Sequence, residues 1–158
     1  MRSDSALSAM HDAVALWQVG EASAADVIYA ACHLLTAGVD SPILRMLAAL
    51  PVREADYEVN ELIEAVMSEV GLPHHSRDSA AANQAAVRAT AARLVAGDLT
   101  PSYLAAWANS EYWLHELELA SRLTELDHCY CEVEYTDLTV EDIDALVIAE
   151  AQRIISLS

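Results

Sequence analysis

The sequence has no lysine and no phenylalanine, and its 158 residues include only four glycines, four prolines and three cysteines. Each scarcity narrows what the chain can be. Few chain breakers, set against thirty alanines, favour helix over strand. Three cysteines, Cys32, Cys129 and Cys131, are too few and of the wrong parity for a disulfide framework, so reduced thiols are expected. With no lysine, eight arginines stand against 25 acids, a net charge of −17 that repels phosphates and makes nucleic acid an unsuitable ligand. No apolar run reaches the roughly 18 residues of a membrane span. The segment "MRSDSALSAMHD" lacks the basic start and apolar core of a secretion signal, so a cytoplasmic location and no membrane partner are expected. All four glycines are isolated, which rules out a Gly-rich phosphate loop, and neither G-x-S-x-G nor H-E-x-x-H occurs. No catalytic residue and no cofactor are assigned.

What is present is apolar. Hydrophobic residues make up 54% of the chain, enough for one helical domain over residues 1–158 with a real core, despite the charge. Each glycine comes where a helical pattern runs out, after "AVALWQV", "HLLTA", "AVMSEV" and "ATAARLVA". Ser41-Pro42 and Thr100-Pro101 each pair a capping hydroxyl with proline at the first helical position. Apolar spacing between these marks predicts helices near 4–19, 24–37, 42–49, 54–70, 78–96, 101–109, 111–126 and 140–156. The second carries Val27, Ile28, Ala31, Leu34 and Leu35 on one face, and the fourth carries Val59, Leu62, Ile63, Val66 and Val70. The last opens with Thr139 and Asp142 in a capping-box arrangement and turns Val140, Ile143, Val147, Ala151 and Ile154 to the core. The expected fold class is all-α, a compact bundle of seven to eight helices.

Two stretches echo each other. "QVGEASAADVIYAAC" and "VAGDLTPSYLAAWAN" align at a shift of 77, pairing Gly20 with Gly97, Ser23 with Thr100, Val27 with Leu104 and Ala31 with Ala108. At a shift of 84, Val59 meets Ile143 and Leu62 meets Leu146. This suggests two four-helix pseudo-repeats, about 1–72 and 78–158, with an insertion in the second. Helix capping alone can also generate such similarity. The twice-written alanine-rich helix, G-E/D-x-S/T and second helix resembles small uncharacterised all-helical proteins of high-GC bacteria. Some of those look like immunity proteins that neutralise a partner toxin, similar in strategy to the acidic immunity proteins of colicin nucleases. The resemblance implies an all-helical fold and an acidic binding surface, and it assigns no contact residue.

The extra residues fall in "DHCYCEVEYTDL", 127–138, where Cys129, Cys131, Val133 and Tyr135 alternate with polar residues as in an exposed strand or extended loop. Between Glu111 and Glu150 lie twelve of the 25 acids, opposed only by Arg122. Such a surface attracts basic proteins, and it is also what a solvated, solubilising face looks like. Tryptophan and tyrosine flanked by charge are typical anchors for a protein partner. The candidate partner-binding residues are therefore Tyr112, Trp113, Glu116, Tyr130, Glu132, Glu134, Tyr135 and Asp137; Trp17 and Trp107 read as core.

Metal binding is the rival chemistry, through His128, Cys129 and Cys131 with a remote histidine. Cys-x-Cys is closer than the usual zinc-knuckle spacing, and ordinary helix and loop roles explain these residues as well. Glu125-x-x-His128 matches one unit of a di-iron bundle, where two are needed; Glu111, His115 and Glu118 could add a carboxylate-histidine face, or simply form the polar side of a helix. The leading expectation is a noncatalytic acidic protein-binding module, an immunity or inhibitor protein for a basic partner. The alternatives are a metal-binding enzyme or sensor using His128, Cys129 and Cys131, and a structural helical adaptor or homodimer, so homo-oligomerisation stays open.

Overall fold

The computed structural model describes residues 2–53, 55–112 and 117–157. Among them the fold is all-α. Eight α-helices follow in chain order: α1 (Arg2–Gln18), α2 (Ala24–Thr36), α3 (Pro42–Ala48), α4 (Asp56–Glu69), α5 (Ala80–Val95), α6 (Pro101–Tyr112), α7 (Glu118–Cys131) and α8 (Val140–Ser156). One short 3-10 turn, Val133–Tyr135, links α7 to α8. The chain divides into two compact units, Met1–Ala82 and Asn83–Ser158, with the division in the first turn of α5.

In the first unit α2 packs against α1, α3 and α4, and α3 packs on α4. The reason is the apolar stripe on each: Met10, Val14 and Trp17 from α1, Val27, Ile28, Ala31 and Leu34 from α2, Leu44 and Leu47 from α3, and Val59, Ile63, Val66 and Met67 from α4 form one buried cluster. Removing each such large side chain from water contributes about 1.5–3 kcal/mol. Trp17 also satisfies its indole N–H, donating Nε1 to Asp56 Oδ1 at 3.0 Å. The segment after α4 folds back on the end of α1. Gln18 Nε2 donates to the His75 carbonyl at 2.9 Å, and Arg77 Nη1 donates to the Gln18 carbonyl at 2.8 Å. The Arg77 guanidinium lies over the Trp17 ring, 4.8 Å from its centroid, a cation–π contact that suits arginine.

In the second unit α6 packs against α7 and α8, and α7 packs on α8. Buried positions recur along the two units. Met10, Val14 and Trp17 correspond to Val87, Ala91 and Leu94, and Val27 and Ala31 to Leu104 and Ala108, all at an offset of 77. Leu44 and Leu47 correspond to Leu123 and Leu126 at 79, and Val59 and Ile63 to Ile143 and Val147 at 84. Chain punctuation recurs with them. Gly20 and Gly97 both have positive φ, at 81° and 90°, and the next helices start on the hydroxyls of Ser23 and Thr100, which accept from the backbone N–H three residues on.

Two sequence expectations change. The stretch 127–138 is not an extended loop: α7 continues through Cys131, so Asp127, His128, Cys129, Tyr130 and Cys131 are helical. The period-two alternation there was coincidental, because the buried Leu123 and Leu126 continue a helical stripe toward the partly buried Tyr130. At the offset of 79 the last residue of α3, Ala48, falls on Asp127, so the surplus chain takes the form of an added helical turn. The predicted helix 111–126 divides as well, Glu111 and Tyr112 ending α6 and Glu118 starting α7.

Candidate functional site

The corner where α7 turns into α8 is held by its own side chains. Asn109 Nδ2 of α6 donates to Asp127 Oδ2 at 2.9 Å, tying the added turn of α7 to its neighbour. One turn later the Tyr130 hydroxyl donates to the Asp144 carboxylate, joining α7 to α8. Partial burial and then the Asp144 hydrogen bond hold the Tyr130 phenol above its ordinary titration range. The link between them is tight: the Tyr135 N–H donates to the Glu132 carbonyl at 2.9 Å, forming the 3-10 turn.

Helix α8 then starts on a full capping box. Asp142 N–H donates to Thr139 Oγ1 at 3.1 Å, and Thr139 N–H donates to Asp142 Oδ2 at 2.9 Å. The Thr139 N–H, and after it the Thr139 side chain, hold the Asp142 carboxyl below its ordinary value. Below this start Ile143, Val147, Ala151 and Ile154 face inward, as their spacing predicts. Val140 does not: it is 47% exposed, because it is the first residue of α8, ahead of the turn at which the helix meets α7.

The result is an apolar tip ringed by acid. Tyr135 is 85% exposed and Leu138 39%, so residues 135, 138 and 140 all present apolar surface to solvent. Glu132, Glu134, Asp137 and Glu141 are exposed too. None of the four is paired with an arginine among the described residues; Arg122, farther back on α7, is engaged with Glu125 at 3.1 Å.

The candidate residues therefore separate. Tyr130, Glu132, Glu134, Tyr135 and Asp137 come together at this corner. Tyr112 does not join them as an exposed anchor, because it is buried, with its ring edge-on to Trp107 at 5.4 Å between centroids. This corrects its sequence reading: the last turn of α6 carries Tyr112 on the same inward side as Trp107 and Ala108. Trp113 and Glu116 lie outside the described residues, as does His115. Leu138 and Val140 join the surface without having been anticipated. The available signal was that a residue just before or at the start of a capped helix sits outside the packed turns.

His128, Cys129 and Cys131 share one helical turn, yet they do not converge. At about 100° per residue they point across more than a third of the helix circumference rather than to one side of it. No group of three or more His, Cys, Asp or Glu side chains among the described residues is arranged to hold a metal. Cys129 is partly buried, Cys131 is exposed, and both are free thiols.

No family model, no curated protein and no solved structure matches the chain. Among the described residues no helix is long and apolar enough to cross a membrane.

Proposed function

We propose that the protein is a noncatalytic binding module that presents the corner between α7 and α8 to a basic protein, acting as an immunity or inhibitor protein for that partner. The observation that supports this reading is the exposed Tyr135, set with Leu138 and Val140 among four carboxylates that have no arginine partner among the described residues. Apolar and aromatic surface of this kind supplies desolvated anchors, while a field of one sign speeds encounter and selects partners of the opposite sign. Tyr130 serves by position, since its hydroxyl is committed to Asp144 and its ring braces the corner.

Charge reversal tests the reading. The wild-type chain immobilised in low salt is expected to retain a basic protein from native extract and release it as salt rises. The triple variant Glu132→Lys, Glu134→Lys, Asp137→Lys is expected to lose that retention at least tenfold, and Tyr135→Ala to weaken it at every salt concentration. Unchanged retention with an unchanged salt profile in the triple variant would remove this corner from consideration.

A further inference from the structure

The second unit contains a cavity of about 240 Å³ at the far end of the α7–α8 pair from the acidic corner, and its chemistry is of the opposite kind. Gln84 and Arg88 line it from α5, Glu118 and Leu119 from the start of α7, and Arg153 and Leu157 from the end of α8. Fourteen helical residues separate the two ends of α7, roughly 20 Å at 1.5 Å per residue.

Arg88 is unusual among the described arginines in holding a buried side-chain donor that is not hydrogen-bonded. Arg45, Arg122 and Arg153 each have a carboxylate partner, and Arg77 has a carbonyl and an indole face. Arg88, in a chain with three times as many acids as arginines, has none among the described residues, and its Nε is buried without a hydrogen-bond acceptor. A guanidinium has only donors and stays charged at any physiological pH, so it cannot relieve this by changing state. The neighbouring Arg153 does not share the vacancy, because Glu150, itself only 8% exposed, accepts from both its Nε and Nη2. The cavity thus contains one neutralised arginine and one arginine with an open donor.

We propose that this cavity binds a small monocarboxylate with a short apolar tail. The guanidinium fork of Arg88 matches a carboxylate in two parallel hydrogen bonds. Gln84, four residues earlier, lies on the same helical face, within reach of the same group. Leu119 and Leu157 supply apolar wall for the tail. At about 30 Å³ per water, the volume holds on the order of eight waters, room for the carboxylate and tail of a four- or five-carbon acid. Glu118, exposed at the rim, and the net charge of −17 both weigh against a dianion such as phosphate.

Heteronuclear NMR of the full chain tests this with butyrate, its neutral isostere butyramide, and inorganic phosphate as probes. Butyrate is expected to shift the Arg88 Nε–H resonance and the amides of Leu119 and Leu157 with a millimolar Kd, and butyramide and phosphate to bind at least tenfold more weakly. Arg88→Gln is expected to raise the butyrate Kd at least tenfold, Arg88→Lys at least threefold because it keeps the charge and loses the fork, and Arg122→Gln less than twofold. Equal binding of butyramide, tighter binding of phosphate, or no shift at Arg88 with butyrate at 50-fold above the expected millimolar range would each overturn the proposal. The wild-type titrations decide the matter even if the Arg88 variants do not fold.

Discussion

Among the described residues the hydrogen bond from Tyr130 to Asp144 is the one side-chain bond that joins the last turn of α7 to α8, and Tyr130→Phe removes it while keeping the ring. A hydrogen bond to a charged acceptor contributes about 1.5–3 kcal/mol when buried. Both partners here are only partly buried, so water replaces part of what is lost, and the expected cost is about 1 kcal/mol. That corresponds to a fall in Tm of about 2–4 °C if the chain melts as one cooperative unit, and of about 4–8 °C if the second unit melts alone. The assay is urea unfolding followed by circular dichroism for the wild type, Tyr130→Phe, Asp144→Ala and the double variant, giving a coupling energy of about 1 kcal/mol. The pH dependence has a definite sign. The folded-state phenol pKa is raised, so the neutral donor is the favoured form; its stabilisation is fully present below the ordinary value of 10 and is lost as pH rises through the higher folded value. The coupling should therefore be constant between pH 6 and 9 and fall only above pH 10. A coupling under about 0.3 kcal/mol at neutral pH would refute the account of how this corner is held.

Other consequences are testable with single substitutions. Thr139→Ala removes the N-cap of α8 and is expected to cost about 1 kcal/mol in chemical unfolding. It should also raise the Asp142 pKa toward its ordinary value of 3.8, read by carboxyl NMR; because that pKa is lowered in the fold, the Asp142 contribution is present above about pH 4 and lost as pH falls through the lowered value. Gly20→Ala and Gly97→Ala place a Cβ in open space but at positive φ, so each is expected to destabilise by about 1 kcal/mol through the backbone alone, with no change in packing by NMR. In a spectrophotometric titration, Tyr57 and Tyr130 should ionise above the ordinary range: Tyr57 because it is hydrogen-bonded to Glu61, Tyr130 because of burial and Asp144. Tyr130→Phe should remove one of those late steps.

Local chemistry was legible in the residues themselves. Capping hydroxyls at Ser23, Ser41, Thr100 and Thr139, each followed by an apolar 3.6-residue stripe, mark helix starts because the side chain meets a backbone N–H within the same turn. Glycine after a stripe marks helix ends because the left-handed backbone is cheap only without a Cβ. The acidic corner was legible as composition, and so were Glu132, Glu134, Tyr135 and Asp137 as its exposed members. Its shape was not. Cys129, Cys131, Val133 and Tyr135 alternate as a strand would, yet α7 continues through Cys131, with Asp127 bonded to Asn109 of α6 and Tyr130 to Asp144 of α8.

Pattern within one helix determines which residues form a turn and which face is apolar, because those interactions span four residues or fewer. Tertiary structure decided what that face meets. It buried Tyr112 against Trp107, exposed Val140 because α8 meets α7 only from the following turn, and left Arg88 with a buried Nε that has no acceptor among the described residues. These outcomes depend on which side chains from distant positions share a volume, and no local period encodes that.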